Sequence, residues 1–129
     1  AQGVVDRMKR FDHIRGVVKS FVVDHSPCHV LIEGYSFGSR GRGLFNIAES
    51  GGIIRHALAT ECPKLPSLGE AAPSELQKTV TGFGGGRGED KKKALKAAVE
   101  QVYGELGFPK YDLYDAVGLA LMLWWRHNA

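Results

Sequence analysis

The sequence predicts a single α/β domain spanning residues 1–129, and three observations carry that expectation. Apolar residues recur at helical spacing through several long stretches. One short apolar, partly β-branched run, His29-Val30-Leu31-Ile32, has the length and flanks of a buried strand. The chain of 129 residues is long enough for one hydrophobic core and short for two. Apolar residues at 43% and charged residues at 24% match an ordinary globular domain rather than a disordered chain.

From about Val5 to Asp24, Met8, Phe11, Ile14, Val18, Phe21 and Val22 fall three or four residues apart, the signature of one face of an amphipathic helix, with Arg7, Arg10, Arg15 and Lys19 on the remainder. Ser26-Pro27 breaks that helix, and the strand that follows ends at Glu33. Gly34 to Gly43 reads as a basic and aromatic loop carrying Tyr35, Phe37, Arg40 and Arg42. A second helix is expected from about Leu44 to Ala59. Prolines between Pro63 and Pro73 limit regular structure, although Lys64 to Glu70 can hold an edge strand. Pro73-Ser74-Glu75 is a helix start leading to Lys78, and Gly82 to Gly88 is a mobile glycine loop. Glu89 and Asp90 open a longer helix at its positive dipole end, running to about Tyr103. Gly107-Phe108-Pro109 closes it, and a last helix is expected from about Asp112 to His127.

The order is thus helix, strand, helix, weak strand, helix, helix, with no internal repeat and no dividing linker. So few strands cannot form a free-standing sheet, because their unpaired backbone groups need neighbours. The neighbours are expected from a segment before Ala1 or from another chain, so the sequence reads as amino-terminally truncated.

The formal net charge of +3 permits nucleic-acid binding without demanding it. Cys28 and Cys62 lack CxxC spacing and do not cluster with histidines, which argues against zinc and for reduced structural thiols. No apolar run approaches the roughly 20 residues of a membrane span, and the start lacks an apolar leader. A cytoplasmic protein with no membrane association and no small-molecule cofactor is the expectation.

Candidate chemistry rests on three carboxylates. Glu33 lies at the carboxyl end of an apolar strand, where α/β sheets place ligand-binding residues; a carboxylate reaching solvent or pairing with an arginine explains it equally well. Asp112 and Asp115 project from nearly the same helix face. Capping and the helix dipole account for each separately, yet the apolar run Ala116 to Met122 pins both beside the sheet, where an unpaired carboxylate is costly. Three such groups at one sheet end make a hard oxygen site suited to Mg²⁺ or Mn²⁺, ions that serve phosphodiester cleavage.

The segment from Lys78 to Lys93 concentrates positive charge around glycine-rich backbone, with Lys78, Thr81, Arg87, Lys91 and Lys92 as candidate DNA contacts. It fits neither the Walker A spacing nor GxGxxG. Tyr35, Phe37, Arg40 and Arg42 are candidate base-stacking and phosphate contacts. A solvated lysine face and a packed loop are the simpler readings of the same residues.

Taken in order, Ile32-Glu33, then Lys78-Thr79-Val80-Thr81-Gly82-Phe83-Gly84, then Asp112-Leu113-Tyr114-Asp115-Ala116 with its Gly-Leu-Ala continuation, the sequence resembles the RuvC family of Holliday-junction resolvases and their phage relatives. The likeness spans about Val5 to Trp124 and implies a ribonuclease H-like fold, with a central mixed sheet flanked by helices and its first strands absent from this chain. It implies a phage or prophage member, a Mg²⁺- or Mn²⁺-dependent endonuclease acting on branched DNA, and a symmetric homodimer. By this resemblance Glu33, Asp112 and Asp115 are the catalytic and metal-binding carboxylates, Lys78 lies near the phosphate backbone, and Tyr35 or Phe37 near a junction-contacting aromatic position.

One departure matters. The family's first strand carries a further aspartate, and nothing before Glu33 supplies it, since Asp6 and Asp12 lie on the first expected helix. The chain as given is therefore expected to bind metal poorly and to cut slowly or not at all. The competing class is a non-catalytic DNA-binding or assembly module, in which the acids are caps and the lysines hold phosphate.

Overall fold

The computed structural model describes residues 1–27, 29–35, 42–62, 67–83, 86 and 88–128. Its elements follow in the order α1 (Gln2–His25), β1 (His29–Glu33), α2 (Arg42–Glu61), β2 (Ser67–Ala71), α3 (Pro73–Thr81), α4 (Gly88–Tyr103) and α5 (Tyr111–Asn128). The chain divides into two compact units, one of Ala1–Val30 with Phe37–Leu68 and one of Leu31–Ser36 with Gly69–Ala129. No described helix is long and apolar enough to cross a membrane.

In the first unit α1 packs against α2. Helix α1 ends as its sequence predicts: Ser26 takes a left-handed conformation at φ 45°, and its amide donates to the Val22 carbonyl at 2.8 Å. The apolar stripe is only partly covered, because Phe11 is buried while Met8 and Phe21 stay exposed. Ala57 and Leu58 of α2 and Cys62 just past it are also buried, and Cys62 is a free thiol. Cys28 lies outside the described residues. Two of the arginines expected to solvate α1 instead find carboxylates of α2, Arg15 with Glu61 and Arg7 with Glu49 at 3.7 Å. The Arg7–Glu49 pair is the more exposed of the two and stabilises by only about 0.2–1 kcal/mol, while Arg15–Glu61 is partly buried.

The second unit holds the three helices α3, α4 and α5, which pack pairwise. Strands β1 and β2 pair in parallel as a two-stranded sheet, the one strand and one weak edge strand expected of this chain. Past the strand ends the Gly34 amide continues the pairing by donating to the Ala71 carbonyl at 2.6 Å. The core gathers Ala71, Leu76, Leu95 and Met122, with Leu31, Val80 and Leu119 packed against it. Burying a leucine such as Leu76 or Leu95 contributes about 1.5–3 kcal/mol.

Helix α3 runs three residues further than the sequence suggests, and so counts as a full element in the chain order. Thr79, Val80 and Thr81 are weak helix formers, but Thr81 Oγ1 donates back to the Gln77 carbonyl at 2.6 Å. Gly82 then closes the helix at φ 79°, its amide donating to the Lys78 carbonyl at 2.8 Å. That left-handed closing residue is the reason a glycine stands there. Beginning with Glu89 and Asp90 in its first turn, α4 ends at Gly104, which bonds back to the Glu100 carbonyl.

Candidate active site

Carboxylates from two distant parts of the sequence influence one another in the second unit. Glu33 ends β1, while Asp112 and Asp115 occupy the first turns of α5. Partial burial pushes the Glu33 carboxyl above its ordinary value, and the charges of Asp115 and then Asp112 push it further. Asp115 is raised in the same way, first by burial and then by Asp112, with the Lys92 ammonium pulling it partly back. Desolvation and like-charge proximity are the two effects that favour the neutral acid. A titratable cluster of this kind at the end of a strand marks a functional candidate.

The local fold explains why the acids arrive there. On α5, Tyr114, Gly118, Leu121 and Met122 are buried, which sets the rotation of the helix. Gly118 permits a close approach: a β-carbon there would lie 3.3 Å from Leu76 Cδ1 and 3.6 Å from Leu95 Cδ1 and Val80 Cγ2. With α5 seated against α3 and α4, Asp115, one residue past the buried Tyr114, is left half-buried rather than solvated. The loop before α5 is tied to the same turn, since the Phe108 amide donates to the Tyr114 hydroxyl at 3.2 Å.

The donor set is all carboxylate oxygen, which suits a hard divalent cation. Among the described residues, however, no three His, Cys, Asp or Glu side chains are gathered tightly enough to hold an ion as they stand. Glu33, Asp112 and Asp115 are coupled through space without closing into a finished ligand set.

The expected DNA-contacting residues divide. Lys92 lies close enough to Asp115 to lower its proton affinity, and its Nζ sits 6.0 Å from the Tyr111 ring centroid. Thr81 is engaged in the fold: its one hydroxyl proton faces the Gln77 carbonyl at 2.6 Å and the Phe83 carbonyl at 2.8 Å, and its oxygen accepts from the Phe83 amide at 3.2 Å, so the hydroxyl is committed to closing α3. Lys78 is exposed on α3, Lys91 is half-buried at the start of α4, and Tyr35 is exposed just past β1. Phe37, Arg40 and Arg87 lie outside the described residues, as does the side chain of Arg42.

Sequence reasoning passed over Gln77. This side chain is only 5% exposed, and its Nε2 donates to the Lys91 carbonyl at 3.0 Å, clamping the basic end of α4 to α3. Its place beside Leu76 in a short amphipathic helix was the available signal, but a glutamine there reads as solvated.

No protein-family description matches this sequence, and no curated protein sequence is similar to it. Solved structures are. The Thermus thermophilus RuvC structure superposes with a TM-score of 0.70 at 18% identity, covering 92% of this chain and 69% of that one. T. thermophilus RuvC in complex with Holliday junction substrate superposes with a TM-score of 0.70 at 21% identity, covering 88% of this chain and 65% of that one. At these identities the fold is what the two share, and this chain is built on the fold of RuvC.

Proposed function

We propose that the protein is a divalent-metal-dependent DNA endonuclease acting on four-way junctions, with Glu33, Asp112 and Asp115 as its acidic centre. The observation that carries this reading is the electrostatic coupling of those three carboxylates on a fold similar to a RuvC solved with a Holliday junction substrate. When bound, Mg²⁺ or Mn²⁺ supplies activation of an attacking water and charge stabilisation on the leaving oxygen. Glu33, Asp112 and Asp115 would hold it. Lys92 screens Asp115 from the side, and the exposed Lys78 contributes a phosphate contact.

The ribonuclease H-like classification and a twofold homodimer belong to the same reading, because two opposed nicks in a junction call for two symmetric centres. Among the described residues there is no closed three-ligand group.

That same lack favours one second reading, a non-catalytic module that binds branched DNA through its lysines. Asp115→Asn in the full-length protein separates the two, assayed on a synthetic four-way junction with Mg²⁺. Loss of cutting with junction binding retained supports the nuclease. Cutting that persists in the variant sinks the assignment of Asp115, and a wild-type protein that binds junctions without cutting them under any divalent cation supports the module.

A further inference from the structure

A second feature of the same unit lies beyond the carboxylates. Lys96, Phe108, Pro109, Lys110, Tyr111 and Tyr114 line an open hollow of about 210 Å³ at the start of α5. Two of its walls are lysines and none is an acid. Lys96 Nζ stands 5.4 Å from the Tyr114 ring centroid, held by the ring face rather than by a carboxylate. Among the described residues Lys96 and Lys110 form no ion pair, unlike their neighbour Lys93, which reaches Glu89.

The aromatic wall is fixed. Tyr114 is 1% exposed, its hydroxyl accepts from the Phe108 amide, and the Phe108 ring meets it edge-on at 5.1 Å. The first turn of α5, an 18-residue helix beginning at Tyr111, adds its positive dipole end. Lys92 links the hollow to the acidic centre, lying one turn before Lys96 on α4, over the Tyr111 ring and beside Asp115.

Lys110, which forms no ion pair among the described residues, and Lys96, resting on the Tyr114 ring, beside the partly buried rings of Phe108 and Tyr111, suit a backbone phosphate with an adjoining ring rather than an apolar ligand. We infer that this hollow is a nucleotide subsite, in which Lys96 and Lys110 hold a backbone phosphate of the DNA strand and Tyr111 and Phe108 support the adjoining nucleoside. The inference rests on the DNA-binding reading of the unit but not on cleavage. It also assigns a role to the segment Phe108-Pro109-Lys110-Tyr111, which the acidic centre does not use.

The test is a titration of the 129-residue chain with a five-nucleotide single-stranded oligothymidylate at low salt, followed by amide NMR, with inorganic phosphate titrated in parallel. Shifts at Phe108, Lys110 and Tyr111 under the oligonucleotide are expected. Lys96→Met and Lys110→Ala should each weaken binding by about three- to tenfold and lower the salt slope by about 0.7, as loss of one phosphate contact to a single strand requires. Lys96→Arg should restore the slope, which separates lost charge from disturbed packing. Oligonucleotide shifts confined to other residues, or unchanged affinity and slope in both variants, overturn the subsite and leave the nuclease reading standing. Equal shifts from inorganic phosphate at the same concentration reduce the hollow to a simple anion site and overturn it too. A hollow that responds as expected in a protein whose full-length form never cuts junctions upholds the subsite and removes the nuclease.

Discussion

Gly118 of α5 and Leu76 of α3 approach so closely that a β-carbon at position 118 would lie 3.3 Å from Leu76 Cδ1. The nearest atom is the end of a flexible side chain, so one methyl group can be absorbed, while the helix gains from losing an internal glycine. Gly118→Ala should therefore change stability by less than about 1 kcal/mol. Gly118→Val cannot be absorbed and should cost about 1–3 kcal/mol by overpacking. Urea denaturation of the two variants checks the contrast, and a valine variant as stable as the alanine one refutes the close approach.

Glu33 and Asp115 set a pH dependence of definite sign. Both folded-state pKa values lie above those of the unfolded chain, so the folded protein keeps protons that the unfolded chain has released. Stability from these groups is intact below the unfolded carboxylate pKa and falls as pH rises through the folded value. Asp115→Asn removes the charge and should raise the metal-free Tm at about pH 8 by on the order of 1–3 °C, a figure discounted for solvent screening at half-exposed groups. The advantage should shrink as pH falls and the native acid takes up its proton. A variant less stable than the parent at high pH contradicts the assigned repulsion. Mg²⁺ should raise the Tm of the parent more than that of the variant.

Gln77 offers a purely structural test. Removing its side chain takes away the second donor to the Lys91 carbonyl and opens a space beside Leu76, so Gln77→Ala should cost about 1–3 kcal/mol. Gln77→Glu should be worse than neutral as well, since a carboxylate cannot donate to a carbonyl. Thermal unfolding of both, with DNA binding measured well below the transition, shows whether the basic end of α4 depends on this clamp.

Lys78 and Thr81 should behave differently although they lie on one short helix. Lys78→Ala is expected to weaken junction binding and to lower the salt slope by about 0.9 if it contacts one duplex phosphate. Thr81→Val should leave the slope unchanged and instead loosen the end of α3, by about 0.5–1.5 kcal/mol for the lost hydrogen bonds. A Thr81→Val variant that stays fully stable but loses salt dependence reverses these roles.

How much of this was readable beforehand follows from the range of the interactions. Helix α1 and strand β1 are written in local periodicity and in the Ser26-Pro27 break, and both appear where those signals place them. The positions of Glu33 at a strand end and of Asp112 and Asp115 at a helix start were legible because each has a local signature. The end of α3 was not, since β-branched Thr79-Val80-Thr81 argue against helix until the Thr81 hydroxyl and Gly82 are seen to close it. Strand β2 is blurred by the prolines before it and by Gly69. The hollow of Lys96, Lys110 and Tyr114 depends on a helix and a loop folding back on each other, a relation no short window of sequence contains.

The seat of α5 also bears on how such a protein can change over time. Asp115 and Gly118 are separated by less than one helical turn, and Tyr114, Gly118, Leu121 and Met122 define the face that turns inward. Replacing a side chain on that helix alters a contact, but inserting or deleting one residue between the acid and the glycine rotates everything beyond it by about 100°. The helix therefore works as a ruler. Its intervals carry the information, and its letters are comparatively free, which is how a chain only 18–21% identical to the RuvC structures can keep their fold.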